Sequence, residues 1–315
     1  MRKVSYNEHG GPKVLEYSDN NEVPSIESNE ILVKVISTSF NPADAMIREG
    51  MLKDVLPIAF PFTPNVDVAG KIEKVGPDVK NFNVGDNIIG FLNMHENGAA
   101  ADYVVTHPEN LVLAPSNISI EDSGVIPSVS LTAWQALFDH YHLQSNDRIL
   151  ITGAAGGVGT FAVQLAKDRG AYVIGTASER SYELLQDINI DEIINYKTEE
   201  VTKDRTGKLD YILNLAPISS EGLEQLLPLL KKGGTLVSTL NTVTDQALDK
   251  YDVNVVRMAV TMNQEELDQI VNKIDNGNIK PIITKRDTLE NLQMIHENRN
   301  DYNGKVLITV NEKSD

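Results

Sequence analysis

Four glycines, Gly153, Gly156, Gly157 and Gly159, fall within seven residues, directly after the apolar run Ile149–Ile151. Beyond them Val158, Ala162, Leu165 and Ala166 recur at the spacing of one helix face. Glycines at a strand-to-helix turn let the backbone bend tightly and approach a phosphate. The unpaired N–H groups of the helix's first turn attract its charge. Gly170 ends the helix, and Tyr172–Thr176 has the composition of a second strand. Strand, glycine turn, helix, strand is the unit that holds a dinucleotide, here with the glycine pattern running Ala154, Gly156, Gly159. About 19 positions after Gly159, where a carboxylate would bind both ribose hydroxyls of NAD, the chain has Ser178. Arg180 follows two residues on, a forked cation able to meet a 2′-phosphate. Glu179 would repel that phosphate if turned inward, and the simpler reading turns it outward. The combination points to NADPH.

These residues need a frame around them. The 315 residues suffice for two domains, and 41% hydrophobic with 23% charged residues is ordinary globular composition. A net charge of −17 argues against a broad nucleic-acid or anionic-membrane surface, since phosphates need clustered Lys and Arg. An anionic cofactor must therefore be held by a local site. With no cysteine, disulfides, a thiolate nucleophile and any Cys-containing zinc site are excluded. The opening MRKVSYNEHGG lacks the apolar core of a signal peptide, and no apolar run reaches membrane-spanning length. A cytoplasmic location is expected.

Up to about residue 120 short strand-like segments alternate with Gly, Pro and Asn: Lys3–Tyr6, Ile31–Thr38, Asp67–Val75, Asn87–Phe91, Ala101–Thr106 and Leu111–Leu113. That density of turns suggests an antiparallel barrel or sandwich. One helix interrupts it at Pro42–Glu49, with Asn41 as N-cap. Residues 118–143 read as helical. Strands are then expected at Glu192–Tyr196, Tyr211–Leu215, Thr235–Leu240 and Val253–Val260, with helices near Ser181–Asp187 and Gly222–Leu230. Such alternation implies a parallel, doubly wound sheet. A helix at Gln264–Asp275 and strand-like pieces at Pro281–Ile283 and Lys305–Val310 follow.

Across almost its whole length the chain resembles the zinc-independent quinone oxidoreductase branch of the medium-chain dehydrogenase/reductases. The motifs are Asn41-Pro42-Ala43-Asp44 with Ile47-Arg48-Glu49-Gly50, Val66-Asp67-Val68-Ala69-Gly70, and Val75-Gly76-Pro77-Asp78-Val79 through Phe82. Val84-Gly85-Asp86, Leu131-Thr132-Ala133-Trp134, the glycine loop and Gly304-Lys305-Val306 continue the series. The resemblance implies an α/β chain of two parts. A GroES-like β-barrel catalytic domain would use residues 1–122 and 266–315, and a Rossmann NADP-binding domain residues 123–265. The active site would lie in the cleft between them. It further implies a homodimer joined edge to edge through Val253–Val260. Zinc-using relatives place a His where this chain has Val66, so hydride transfer is expected without a metal. The six histidines, His9, His95, His107, His140, His142 and His296, read as surface or satisfied side chains.

The resemblance places Asn41 and Asp44 beside the nicotinamide. Asn41 could donate to a phosphate, a ribose hydroxyl or a substrate carbonyl, or could simply cap its helix. Arg48, one turn beyond Asp44, can pair with it on the helix surface in a structural role. Tyr6 and Tyr103 read as core residues. Thr132 matches a threonine near the nicotinamide ring, and Tyr196 one that packs at the 2′-phosphate. Ala155, Gly156, Gly157, Val158, Gly159, Ala216 and Leu240 complete the expected cofactor contacts. Where well-known quinone oxidoreductases carry tyrosines, this chain has Met46 and Leu52, an apolar wall expected to favour enones or alkenals over benzoquinone-type acceptors. Tyr251 or Tyr302 could fill the same space instead. The leading expectation is an NADPH-dependent reductase of quinones or α,β-unsaturated carbonyls. An enoyl-thioester reductase and a non-catalytic NADPH-binding sensor or scaffold stay open.

Overall fold

The computed structural model describes residues 1–311. In chain order these form β1 (Lys3–Ser5), β2 (Glu16–Ser18), β3 (Ile31–Phe40), α1 (Pro42–Arg48), β4 (Asp67–Val75), β5 (Asn87–Phe91), β6 (Tyr103–Thr106) and β7 (Leu111–Leu113). Helix α2 (Pro127–Trp134) precedes β8 (Arg148–Thr152), α3 (Gly157–Arg169), β9 (Tyr172–Ala177), α4 (Tyr182–Asp187) and β10 (Glu192–Asn195). Next come β11 (Leu209–Asn214), α5 (Ser220–Glu224), β12 (Leu230–Ser238), α6 (Asp245–Lys250) and β13 (Asn254–Arg257). Then follow α7 (Gln264–Asp275), β14 (Ile283–Thr288), α8 (Leu292–Glu297) and β15 (Lys305–Thr309). They sort into two units. One takes residues 1–128, 262–277 and 281 onward; the other takes 129–261 and 278–280.

The sheet of the first unit runs β14-β15-β3-β4-β5-β7 and is antiparallel except for its β14–β15 pair. Strand β3 is its hub. β4 occupies one edge, while β6 and β15 share the other, β6 against Ile31–Lys34 and β15 against Ser37–Phe40. Nine of its ten residues are buried, so the apolar stretch Ile31–Ile36 shows little alternation, and Ser37, Thr38 and Ser39 are buried polar residues. Ile31, Val33 and Val35 share a core with Val68, Ile72, Ile88 and Val306. Strands β3 and β4 approach so closely that a Cβ on Gly70 would lie 2.3 Å from the Lys34 carbonyl oxygen, so only glycine fits there.

The second unit carries a six-stranded parallel sheet in the order β10-β9-β8-β11-β12-β13. This is the doubly wound order of dinucleotide-binding sheets, and it reverses direction between β8 and β11. Leu150, Ile174, Ile212 and Leu236 form its centre.

Some boundaries differ from the sequence reading for identifiable reasons. The helix expected at Gly222–Leu230 is broken: α5 stops at Glu224, Pro228 lies in a separate 3-10 turn at Leu227–Leu229, and Leu230 already begins β12. Residues 118–143 divide into a 3-10 turn at Asp122–Val125, helix α2 with Pro127 at its start, and a π turn at Gln135–Asp139. The strand expected at Val253–Val260 is shorter, Asn254–Arg257, and lies at the sheet edge. β14 extends well beyond Pro281–Ile283. Its more buried positions include Lys285 and Asp287, so no apolar alternation marks it. β2, α6 and α8 are too short to show a period.

Candidate active site

Strand β3 ends at Phe40, and Pro42, which lacks an N–H, opens α1 where no donor is needed. Asn41 between them is extended. Its N–H donates to Asp44 Oδ2 (2.8 Å), and the Asp44 N–H donates to the Asn41 carbonyl (3.0 Å). The helix start is thereby served by Asp44, and the Asn41 side chain turns elsewhere. Its Nδ2 donates to Asp67 Oδ2 (2.9 Å), and its Oδ1 accepts from Lys305 Nζ (2.5 Å) and Ser128 Oγ (3.1 Å). Asp67 and Lys305 form a buried ion pair at 3.0 Å. Ser39 Oγ and the Ser128 N–H and Oγ also donate to Asp67. Burial would raise the Asp67 carboxyl, but the Lys305 charge and the donors from Asn41, Ser39 and Ser128 outweigh it and hold the group below the usual carboxylate range. Asp44 goes the opposite way. Burial, reinforced by the Asp67 charge, pushes it up to about 7 against the opposing Asn41 N–H and Lys305.

Arg48 does not pair with Asp44, whose carboxylate is turned back to Asn41. The guanidinium is fully buried; it donates to the Gly10 carbonyl (3.0 Å) and to Glu49 Oε1 (2.6 Å), and meets His296 Nδ1 at 2.6 Å. Arg299 donates to the same Glu49 carboxylate (2.7 Å), which ties α8 and the turn after it to α1. An arginine can only donate, so His296 Nδ1 is the acceptor and the ring is neutral. Burial first, then the Arg48 and Arg299 charges, lower its pKa to about 3. The reading of His296 as a surface or satisfied side chain is corrected: it is buried and its Nε2 has no partner. Met46 is half-buried on α1, and Leu52 packs on the core of this unit. Tyr6 is core, as expected, whereas Tyr103 is half-buried. Tyr302 packs on the same core as Leu52 and holds Lys285 Nζ 4.5 Å above its ring; Tyr251 belongs to the second unit's core.

In the second unit the glycine loop joins β8 to α3. Gly153 has φ +69°, and a Cβ on Gly159 would lie 2.4 Å from the Gly153 carbonyl oxygen, so this turn admits no side chain there. Gly156 precedes the helix in extended conformation, with no side chain capping the first turn and no acid within it. The uncapped amides beside half-buried Ala155, Gly156, Gly157 and Val158 fit a pyrophosphate.

Four polar side chains that the sequence reading missed close the neighbouring strands. Thr152 Oγ1 donates to Asn214 Oδ1 (2.6 Å), and Asn214 Nδ2 donates to Ser238 Oγ (3.1 Å) and to the Ala216 carbonyl (3.2 Å). Thr176 Oγ1 accepts from the Gly153 N–H (3.2 Å), Thr152 Oγ1 from the Ala216 N–H (3.4 Å) and Ser238 Oγ from the Leu240 N–H (3.4 Å). This row fixes the loops bearing Gly153, Ala216 and Leu240 at the point where the strand order reverses. The available signal was a polar residue at or next to the end of each of four apolar strands. Parallel register pairs Ala177 with Asn195, which brings the residues just beyond, Ser178 and Tyr196, to the ends of adjacent strands. Ser178 is half-buried, and Glu179, Arg180 and Tyr196 are exposed. Thr132 is buried on α2.

Residues 27–116 match the family model described as alcohol dehydrogenase GroES-like domain, and residues 188–301 the one described as zinc-binding dehydrogenase. A chloroplastic quinone-oxidoreductase, QR1, from Triphysaria versicolor is 32% identical over 303 residues, 92% of each chain. A chloroplastic NADPH-dependent alkenal/one oxidoreductase from Arabidopsis thaliana is 30% identical over 90% of this chain and 72% of its own. The solved quinone oxidoreductase from Coxiella burnetii superposes with a TM-score of 0.88 at 27% identity, covering 99% of both chains. The chain belongs to the medium-chain dehydrogenase/reductase family, among the quinone oxidoreductases, and its second unit is an NAD(P)-binding domain. The donor set does not fit the zinc of the family model's description. Cysteine is absent, Val66 is a buried apolar side chain, and among the described residues no three His, Asp or Glu side chains group as ligands.

Proposed function

We propose that this chain is an NADPH-dependent reductase of α,β-unsaturated carbonyl compounds and quinones that works without zinc. The observation that carries the reading is the uncapped glycine turn at Gly153–Gly159, supported by relatives whose names include quinone and alkenal/one oxidoreductases. When bound, NADPH supplies the hydride. The α3 amides hold its pyrophosphate, Ser178, Arg180 and Tyr196 surround the 2′-phosphate, and Thr132, Ala216 and Leu240 line the rest. Met46 and Leu52 act on the substrate side, while Asn41 and Asp44, buried and engaged with Asp67, Lys305, Ser128 and each other, position the start of α1. Arg180→Ala should weaken NADPH binding roughly ten- to a hundred-fold, the equivalent of a charge-assisted contact of about 1.5–3 kcal/mol, with NADH little affected. Fluorescence titration with both nucleotides checks it; equal losses would remove Arg180 from the 2′-phosphate.

Methionine and leucine offer an adaptable apolar wall and no phenol to bond a carbonyl. Higher kcat/KM is therefore expected for enones and alkenals than for matched quinones, with reduction at the carbon–carbon double bond. The experiment is a steady-state panel of both series with product identification and elemental analysis of the enzyme. A strong quinone preference or an allylic alcohol product would defeat the substrate reading, and activity removed together with stoichiometric zinc would defeat the metal-free one. Binding of NADPH without turnover across the panel would make this a binding protein.

A further inference from the structure

One cavity of the first unit, about 10 Å³, is lined by Asp44, Ile47, Phe62, Asn65 and Glu96, among others. Two of these residues carry buried oxygens without a well-formed hydrogen bond, Asp44 Oδ1 and Asn65 Oδ1, although the Val66 N–H lies near enough to the Asp44 carboxylate to favour its ionised form. The Asn65 amide cannot be turned round to mend this, because its Nδ2 donates to the Ser39 carbonyl at 2.8 Å. Its backbone is held at φ 75°, a left-handed conformation that asparagine tolerates. Leaving a buried polar atom unsatisfied is costly, and here two acceptors share one small space. A volume near 10 Å³ is about what one water needs, and a water brings two O–H donors.

We propose that this cavity binds a single water molecule bridging Asp44 Oδ1 and Asn65 Oδ1, and that through it Asp44 serves as a buried, exchangeable proton store. When Asp44 is ionised, the water donates to both oxygens. When Asp44 is neutral, its own O–H donates to the water, which donates on to Asn65. For exchange, the Asp44 O–H breaks as a new O–H forms on the cavity water, and that water passes its other proton to solvent water on the cavity side lined by exposed Glu96.

The charged and titratable groups facing Asp44 are Asp67 on β4, Lys305 on β15, Tyr6 after β1, and Glu96 across the cavity. Asp67 favours the neutral acid and Lys305 opposes it. Burial decides the balance and raises the group to about 7. The inference stands on the cavity and its two unpaired oxygens, independently of the reductase reading.

The test is carbon-13 NMR of protein labelled in its aspartate carboxyls, titrated from pH 4 to 9. One carboxyl should titrate near pH 7 and vanish in Asp44→Asn. If every aspartate titrates in the ordinary carboxylate range, the proton store is refuted. Should Asp44→Asn fail to fold, Asn65→Gly keeps the left-handed backbone and removes one anchor of the water. The Asp44 midpoint should then fall, because a carbonyl that favours the neutral acid is gone; an unchanged midpoint overturns the bridge. A high-resolution crystal structure should show one water within hydrogen-bond reach of both oxygens, and a dry cavity would refute the site.

Discussion

Replacing Lys305 by methionine is expected to destabilise the protein by about 3–5 kcal/mol, the range for removing one partner of a buried ion pair. The large value comes from what remains. Asp67 would stay fully buried, with Ser39, Asn41 and Ser128 donating to it but no cation within reach. Asn41 Oδ1 would also lose its 2.5 Å contact with Lys305 Nζ. Combining Lys305→Met with Asp67→Asn removes both charges, and most of the loss should return, because neutral replacements of buried pairs are often tolerated. Urea unfolding of the four proteins at pH 7 gives the double-mutant cycle. A single-variant loss below about 1 kcal/mol, or strictly additive losses, would contradict the reading.

The second large effect concerns acid. His296 is neutral in the folded protein down to about pH 3, whereas an unfolded histidine takes up a proton near pH 6.5. Between these values the unfolded chain binds a proton that the folded one refuses. This contribution is therefore fully present above pH 6.5 and is lost as pH falls toward 3. The slope is about 1.4 kcal/mol per pH unit, or roughly 5 kcal/mol in all. His296→Gln keeps an acceptor for Arg48 and cannot titrate. The difference between its stability curve and that of the parent should show this slope on the acid side and be flat above pH 7. Parallel curves throughout would mean that the folded protein accommodates a charged His296.

How much of this could be read from the residues depended on distance along the chain. The glycine turn was legible because its logic is local: a strand, a bend without side chains and a helix start lie within about twenty residues. The parallel order of the second unit followed from the same alternation. The network around Asn41 was not legible as a network. Asn41, Asp67 and Lys305 each stood in a recognisable motif, yet Lys305 meets Asn41 across 264 positions. Only the placement of β15 and β4 on either side of β3 brings them together. A lysine opening a strand ordinarily faces water, and nothing nearby in sequence marks this one as buried. Arg48 shows the converse error. Its spacing from Asp44 favours a surface pair, but tertiary partners, Gly10 and His296, claim the guanidinium instead.

The shared edge of β3 also governs the order in which the molecule can be completed during synthesis. Residues 129–261 emerge from the ribosome as nearly one uninterrupted unit and can close their sheet as soon as β13 is made. The first unit must wait. Ser37–Phe40 has no strand on its second edge until β15 arrives some 265 positions after Phe40. At ribosomal speeds of roughly 5–20 residues per second, that is a delay on the order of tens of seconds. Throughout it, an open strand edge is available to other chains, and Asp67 lacks the cation that lets it be buried. The nascent chain, rather than the finished enzyme, is thus the form most exposed to misassembly, and the last strand to be translated both seals the sheet and neutralises its interior.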